Sequence, residues 1–294
     1  MKMSSILKSN LLLIKSRAFN TFPYAWTSAT GALMASHGSP PMLQFFLVVL
    51  SVFLMALSVY IYNDLVDADM DKLNPEKKNR PFTSGKVTKQ QAMRFIYVTS
   101  LIAVTSSLFV SIQTGLLCII WLALFLAYSN PHIYLKRRML LKEGTPAMGY
   151  LLAIIMGAVS AGPISPNVVF GAIFWGSLIF VSIPAFRDTT DLEEDTKFGI
   201  KSLASIMSWK HRIEMTLLFF LATMTLTPLT YVYFGFNVIF PIVMIAMGLV
   251  ILRYMFPLLN GLDEKKFSQL IRAGSVYILT VSASMVIGSL PLPF

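Results

Sequence analysis

Nine apolar runs separated by short polar connections constrain what this chain can fold into: 19–37, 42–62, 93–112, 114–128, 145–161, 166–185, 213–234, 238–256 and 270–290. Runs of that length predict membrane-spanning helices, because a helix satisfies its own backbone polar groups where water cannot. The charges sharpen the prediction. Connections around 38–41, 113–114, 162–165 and 235–237 carry no Asp, Glu, Lys or Arg. All 24 Lys and Arg fall on the N-terminal segment or within 63–94, 136–142, 187–212 and 253–272, and the 14 acids lie in or beside those stretches. Charge thus belongs to one side of a nine-span arrangement. The positive-inside rule predicts that this side, with the N-terminus, is cytoplasmic and that the C-terminus is outside.

The expected fold class is all-α: a multi-spanning membrane helical bundle of about nine transmembrane helices around a central cavity. Residues 1–294 read as one membrane domain, with caps on the charged side at about 63–92 and 186–212. Composition agrees, at 55% apolar and 13% charged residues with a mean hydropathy of +0.68. The net charge of +10 is what loop asymmetry and contact with anionic lipid produce. Nucleic acid is excluded as a partner, since the basic residues are scattered among acids rather than gathered into one stripe with exposed aromatics. Cys118 is alone, which rules out a disulfide framework, and His37, His132 and His211 are too far apart for a local zinc motif.

Two segments repeat one spacing of carboxylates, i, i+3, i+7: Asp64, Asp67 and Asp71, then Asp188, Asp191 and Asp195. On a helix these positions fall within about 60° of one another, so each segment can present its acids from one face. Clustered carboxylates repel unless a cation holds them, which points to a divalent metal at a membrane surface. An EF-hand is excluded: counting from Asp67, its sixth position is Lys72 and its twelfth Lys78, where Gly and Glu are required. A solvated charged loop accounts for one motif but not for the repeated spacing. A transporter's ion site would put single acids within the spans.

Basic residues surround both motifs. Lys72, Lys77, Lys78, Arg80 and Lys86 follow the first; Arg187 precedes the second, and Lys197 and Lys201 follow it. Carboxylates holding Mg²⁺, with cations close behind, form a clamp for a diphosphate.

These residues resemble a known family. Asn63-Asp64-x-x-Asp67-x-x-x-Asp71, the Asn79-Arg80-Pro81 that follows, Tyr128-Ser129, and Asp188-x-x-Asp191-x-x-x-Asp195 are similar to the signature set of the UbiA superfamily of intramembrane prenyltransferases. The resemblance implies a prenyltransferase with two Mg²⁺ ions and two partners, a prenyl diphosphate and a lipophilic acceptor. It implies metal binding by Asn63, Asp67 and Asp71 with Asp64 beside them, and by Asp188, Asp191 and Asp195. It implies diphosphate contacts from Arg80, Lys136, Lys72, Lys201 and Arg17. Tyr128 and Ser129 would lie beside the reacting carbon, and Asn20 would line the substrate. Arg187 stands where relatives often carry Lys.

Either of two acceptor classes is compatible with the resemblance. A prenylated glyceryl phosphate is favoured by the run Gly199-Ile-Lys-Ser-Leu203 and the absence of a soluble extension; an aromatic precursor of a quinone, chlorophyll or haem is the other. Some members of the superfamily are terpene cyclases, in which the substrate's own double bonds capture the cation. A binding or transport protein is the more distant alternative.

Overall fold

A computed structural model describes residues 2–72, 74 and 77–291, so parts of the first expected cap and both chain ends lie outside the described residues. It is helical throughout: α1 (Lys2–Ala35), α2 (Met42–Val66), α3 (Ala68–Asp71), α4 (Lys89–Val110), α5 (Ile112–Ser129), α6 (Leu141–Ala161), α7 (Pro166–Ser182), α8 (Arg187–Lys197), α9 (Leu203–Ile206), α10 (Trp209–Leu226), α11 (Pro228–Tyr233), α12 (Ile239–Met255) and α13 (Glu264–Gly288). Each of the nine apolar runs coincides with a long helix, the seventh shared between α10 and α11.

Local chemistry sets the boundaries. Thr88 and Gln91 form a reciprocal capping box that starts α4. Ser111 ends α4 and caps α5 by accepting from the Thr114 N–H at 3.0 Å, so these two helices are joined through a single residue. Pro166 opens α7, and the Asp263 carboxylate caps α13.

Among the described residues, six helices are long and apolar enough to cross a membrane: α2, α4, α5, α6, α12 with its 3₁₀ extension, and α13. A seventh span arises if α7 and α8, bent by 55° at their junction, are taken together. The nine-span count is not reached by this measure, and the shortfall has a physical source. In α10 the first two turns hold Lys210, Arg212 and Glu214. In α1, Thr21, Thr27, Ser28 and Thr30 are buried, and the three threonines donate to carbonyls three or four residues earlier in the same helix. A hydropathy sum counts the three threonine hydroxyls as polar although the helix satisfies them.

Helix α1 crosses α6 with its backbone almost in contact. A Cβ on Gly157 would lie 1.8 Å from the Ser28 carbonyl oxygen, and one on Gly31 would lie 2.2 Å from that of Ile154. Small residues permit such approach, which drives helix association in lipid. One core gathers α1, α6, α7, α10, α12 and α13 around Trp175, Phe240 and Tyr277; another gathers α1, α2, α4, α5 and α6 around Trp121, Met55 and Met156. The α1–α6 pair therefore joins the two halves. Large apolar side chains such as Phe46, Leu101, Phe109, Ile119, Leu218 and Val276 face outward, as lipid-facing surfaces require.

The two ends of the bundle differ. At the uncharged end, His37 Nδ1 lies 2.8 Å from the Ser289 carbonyl oxygen, and Asn237 donates to the Ile287 and Leu290 carbonyls. At the other end, the α2–α4, α5–α6 and α7–α10 connections converge through ion pairs.

Gly157→Ala is expected to cost about 1–3 kcal/mol by forcing α1 from α6. Gly274→Ala, where an added Cβ meets nothing within 4 Å, should be neutral or stabilising by up to about 1 kcal/mol. Thermal unfolding of the two variants in detergent checks the contrast.

Candidate functional site

The first acidic motif is bent. Helix α2 ends at Val66, Asp67 leaves the helical region at φ −89° and ψ 4°, and α3 resumes at Ala68. Asp67 and Asp71 line a cleft at the charged end, whereas Asp64 is fully buried beside it and absent from its wall. Asp64 is held by Arg17, whose Nε donates at 2.7 Å and whose Nη2 bonds the other oxygen, and by Arg80 at 3.2 Å. The second motif lies on one continuous helix, α8, and all three of its acids line the cleft.

The cleft encloses about 630 Å³ of atom-free space, open solvent included. Its acids meet bases drawn from three segments of the chain. Arg80 bonds Asp71 at 2.6 Å. Lys136, in a short 3₁₀ turn after α5, bonds Asp67, which also accepts from Asn63 Nδ2 at 2.8 Å. Lys142, in the first turn of α6, bridges Asp188 at 2.8 Å and Asp195 at 2.5 Å. Lys77 spans the two motifs, 3.9 Å from Asp71, 3.0 Å from Asp191 and 2.7 Å from Glu194. Asn74 Nδ2 donates to the same Glu194 at 2.9 Å. The two segments expected as caps thus meet through Lys77 and Glu194.

Burial shapes the electrostatics. It pushes the Asp71 carboxyl up to about 6 even though Arg80 pulls the other way. Burial also holds the Lys136 ammonium below its usual value, against the pull of Asp67. Lys77 goes up, because Asp191 and Glu194 together outweigh its desolvation.

Beneath the polar cleft is a narrow aromatic chamber walled by Tyr24, Tyr60, Phe125 and Tyr128. Asn63, Tyr128, Pro146 and Arg187 line both cavities. Ser129 faces the chamber and accepts from Asn63 Nδ2 at 3.0 Å. The Tyr24 ring lies 6.1 Å from Phe125 and 6.3 Å from Tyr60, and the Arg17 guanidinium sits 5.6 Å above the Tyr60 ring.

Of the residues expected from sequence, the cleft and chamber bring together Asn63, Asp67, Asp71, Arg80, Tyr128, Ser129, Lys136, Asp188, Asp191, Asp195 and Arg17. Four others lie outside. Asp64 is buried behind the cleft wall, bound to Arg17 and Arg80. Lys72 pairs with Asp69 at 2.6 Å on the exposed face of α3, and Lys201 and Asn20 are exposed and line neither cavity. Lys142 and Glu194 enter the site without having been singled out. A signal for Lys142 is present in the sequence, a Lys-Glu pair opening an otherwise apolar run; no comparable signal sets Glu194 apart from Glu193.

Oxygen donors of this kind suit a hard cation. Asp188 Oδ2 and Glu194 Oε1 are buried and have no hydrogen-bond partner among the described residues, a costly state that a bound cation relieves. Ammonium and guanidinium groups stand between the carboxylates, and among the described residues no three acids converge on one point.

The profile of the UbiA prenyltransferase family matches residues 24–274. The chain belongs to that family. It is 22% identical over 258 residues to a digeranylgeranylglyceryl phosphate synthase of Methanosphaera stadtmanae, covering 88% of this chain and 92% of that one. It is 26% identical over 239 residues to a 4-hydroxybenzoate octaprenyltransferase of Vesicomyosocius okutanii, covering 80% and 85%. In fold it is similar to a solved digeranylgeranylglyceryl phosphate synthase, at TM-score 0.76 and 21% identity over 98% of this chain and 99% of that one. A UbiA homologue from Archaeoglobus fulgidus bound to DMAPP and Mg²⁺ is similar at TM-score 0.70 and 17% identity, covering 94% and 99%. The UbiA-family chain is accordingly an integral membrane prenyltransferase.

Lys142→Met leaves Asp188 and Asp195 buried without their ammonium. The metal-free variant is expected to lose about 3–5 kcal/mol of stability, seen as a lower thermal midpoint that added Mg²⁺ partly restores.

Proposed function

We propose that this protein transfers the prenyl group of a prenyl diphosphate to a lipophilic acceptor in a Mg²⁺-dependent reaction, with its site on the cytoplasmic side of the membrane. The observation that carries this reading is the convergence of both acidic motifs and their bases on one cleft that opens into an aromatic chamber. Residues 1–294 act as one domain, with 63–92 and 186–212 as its caps. Mg²⁺, two ions by the count of motifs, would be held by Asn63, Asp67 and Asp71 and by Asp188, Asp191 and Asp195. When bound, it supplies charge neutralisation for the leaving diphosphate.

The side chains do the rest. Arg80, Lys77, Lys136 and Lys142 neutralise carboxylates within 4 Å; with those acids engaged by a cation, the same four side chains would be free to bind the diphosphate oxygens. Breaking the allylic carbon–oxygen bond sends its electron pair to the diphosphate, and the clamp stabilises that charge in a site poor in water. Tyr128, shared by the cleft and the chamber, faces the allylic cation with its π-cloud. The acceptor's nucleophilic atom closes the new bond, and the proton it gives up passes to a cleft carboxylate.

The acceptor we propose first is a prenylated glyceryl phosphate, supported by similarity to two digeranylgeranylglyceryl phosphate synthases of known sequence or structure. Similarity to 4-hydroxybenzoate octaprenyltransferases makes an aromatic carboxylate the second to try.

The test uses purified protein, Mg²⁺ and geranylgeranyl diphosphate, with each acceptor in turn and with none. A transferase releases diphosphate at an appreciable rate only when an acceptor is present, whereas equal release without acceptor and a hydrocarbon product would show a cyclase. Asp67→Asn and Asp191→Asn should each lower kcat by about 10³-fold, or ~4 kcal/mol of transition-state stabilisation; retained turnover in both would remove the metal clamp from the mechanism.

The pH dependence has a defined sign. A carboxyl raised to about 6, as Asp71 is, takes up a proton below that pH, and the proton competes with metal. Stabilisation by Mg²⁺, measured as a thermal shift, should therefore weaken as pH falls from 7.5 through about 6.

A further inference from the structure

One ammonium bridges the second acidic motif. Lys142 Nζ lies 2.8 Å from Asp188 and 2.5 Å from Asp195, the two ends of the i, i+7 spacing, so a single cation is chelated by both carboxylates. All three side chains are buried. Among the described residues, no base does this to the two acids of the first motif that line the cleft: Asp67 is held by Lys136 and Asp71 by Arg80.

Lys142 is fixed in that position. The next residue, Glu143, is fully buried, and its two oxygens accept the Leu140 N–H at 3.1 Å and the Leu203 N–H at 2.7 Å. Leu203 opens α9, just beyond α8. The head of α6 is thereby fastened to the segment that carries the second motif, and the ammonium is kept in register with its acids.

An ammonium chelated by two carboxylates takes up oxygens that a divalent ion would need. One positive charge against two carboxylates leaves the group negative, and Asp188 Oδ2 is buried with no hydrogen-bond partner among the described residues, so the motif still attracts a stronger cation. That cation has to displace Lys142 first. A buried ammonium stripped of its carboxylates is strongly unfavourable unless an anion receives it. Lys142 lines the cleft, within which the oxygens of a diphosphate can take over the charge that the carboxylates give up. Metal and diphosphate therefore assist each other at this motif, one taking the acids and the other the base.

We infer that Lys142 is a resident counter-cation that keeps the second motif closed to metal until a diphosphate arrives, so that the ion at Asp188 and Asp195 loads together with the substrate. This rests on the Mg²⁺-dependent reading above and adds an order of assembly to it. By linkage, the factor by which diphosphate tightens that ion is also the factor by which the ion tightens diphosphate.

The experiment counts ions rather than turnover. The full chain, purified in detergent, is dialysed against Mn²⁺ with and without a thiolo analogue of geranylgeranyl diphosphate, and the excess Mn²⁺ on the protein side is measured by electron paramagnetic resonance. Wild type is expected to gain one ion when the analogue is added, bound about 5–150-fold more tightly than in its absence. Lys142→Met is expected to hold that ion without the analogue, and the mutual tightening of Mn²⁺ and analogue to fall below about fivefold. Lys142→Gln supplies the same comparison if the Met protein does not fold. Asp188→Asn should remove the analogue-dependent ion.

A wild type that holds the same number of ions at the same affinity with and without the analogue would overturn the proposal, and that result needs no variant. So would a Lys142→Met or Lys142→Gln protein that binds no more Mn²⁺ than wild type when the analogue is absent, since Lys142 would then not be what closes the motif. An analogue-dependent ion that persists in Asp188→Asn lies elsewhere and equally overturns it. If wild type binds neither Mn²⁺ nor the analogue under any of these conditions, the Mg²⁺-dependent transferase reading itself fails, and the order of assembly with it.

Discussion

Packing carboxylates beside a membrane is costly, and the charged end of this protein is organised around that cost. Five acids in the cleft wall and two more beside it are held by bases from the middle of α1, the α2–α4 connection, the α5–α6 connection and the head of α6. Only the α2–α4 connection neutralises an acid of its own, Asp71 through Arg80; the other acids depend on bases from elsewhere in the chain. The ion pairs therefore serve as cross-links that bring distant connections to one place, in an environment where an unpaired charge is far more expensive than at an ordinary surface. The same arrangement is poised for exchange: a cation bound by the acids would free the bases for an anion.

The helices beneath must be rigid for such a network to hold. Close approach of α1 and α6 at Gly157 and Gly31 fixes two of the elements that carry bases, Arg17 on α1 and Lys142 on α6. Between α2 and α4, Ser58 and Thr99 hydrogen-bond at 2.7 Å, and the Trp121 indole of α5 donates to the Gly149 carbonyl of α6 at 3.1 Å. Buried polar ties of this sort are worth about 0.6–2 kcal/mol each in a membrane, and they set the register of helices that would otherwise slide. The bend between α7 and α8 turns an apolar segment packed in the bundle into one whose acids line the cleft.

Much of the fold was legible in one dimension, because hydropathy and charge segregation are properties of consecutive residues. The apolar runs coincide with long helices, and both acidic motifs lie at the charged end. The site was legible only where its geometry is helical: Asp188, Asp191 and Asp195 share a face of α8 as their spacing requires. Asp64 departs from that logic since the chain bends at Asp67, and the carboxylate on the far side of the bend meets Arg17 and Arg80 instead of the cleft. Lys72 and Lys77 look alike in sequence, yet Lys72 pairs locally with Asp69 and Lys77 crosses to α8. Such choices depend on how the connection folds over the bundle, which no local pattern encodes. The Lys-Glu pair that opens α6 marks Lys142 as unusual, but its partner Asp195 lies 53 positions away, so the pairing itself is not legible in sequence.

A bridged cation is already compensated, so an incoming anion must compete for it with the carboxylates that hold it. Lys77, Arg80, Lys136 and Lys142 are all bridged in this way, so an anion alone gains little from the cleft, and one that arrives with a cation able to take over the carboxylates gains much more. The acidic motifs and their bases, in the proposed reading, would serve the ionisation step, which is common to every acceptor. Selectivity for the acceptor then has to come from residues outside those motifs.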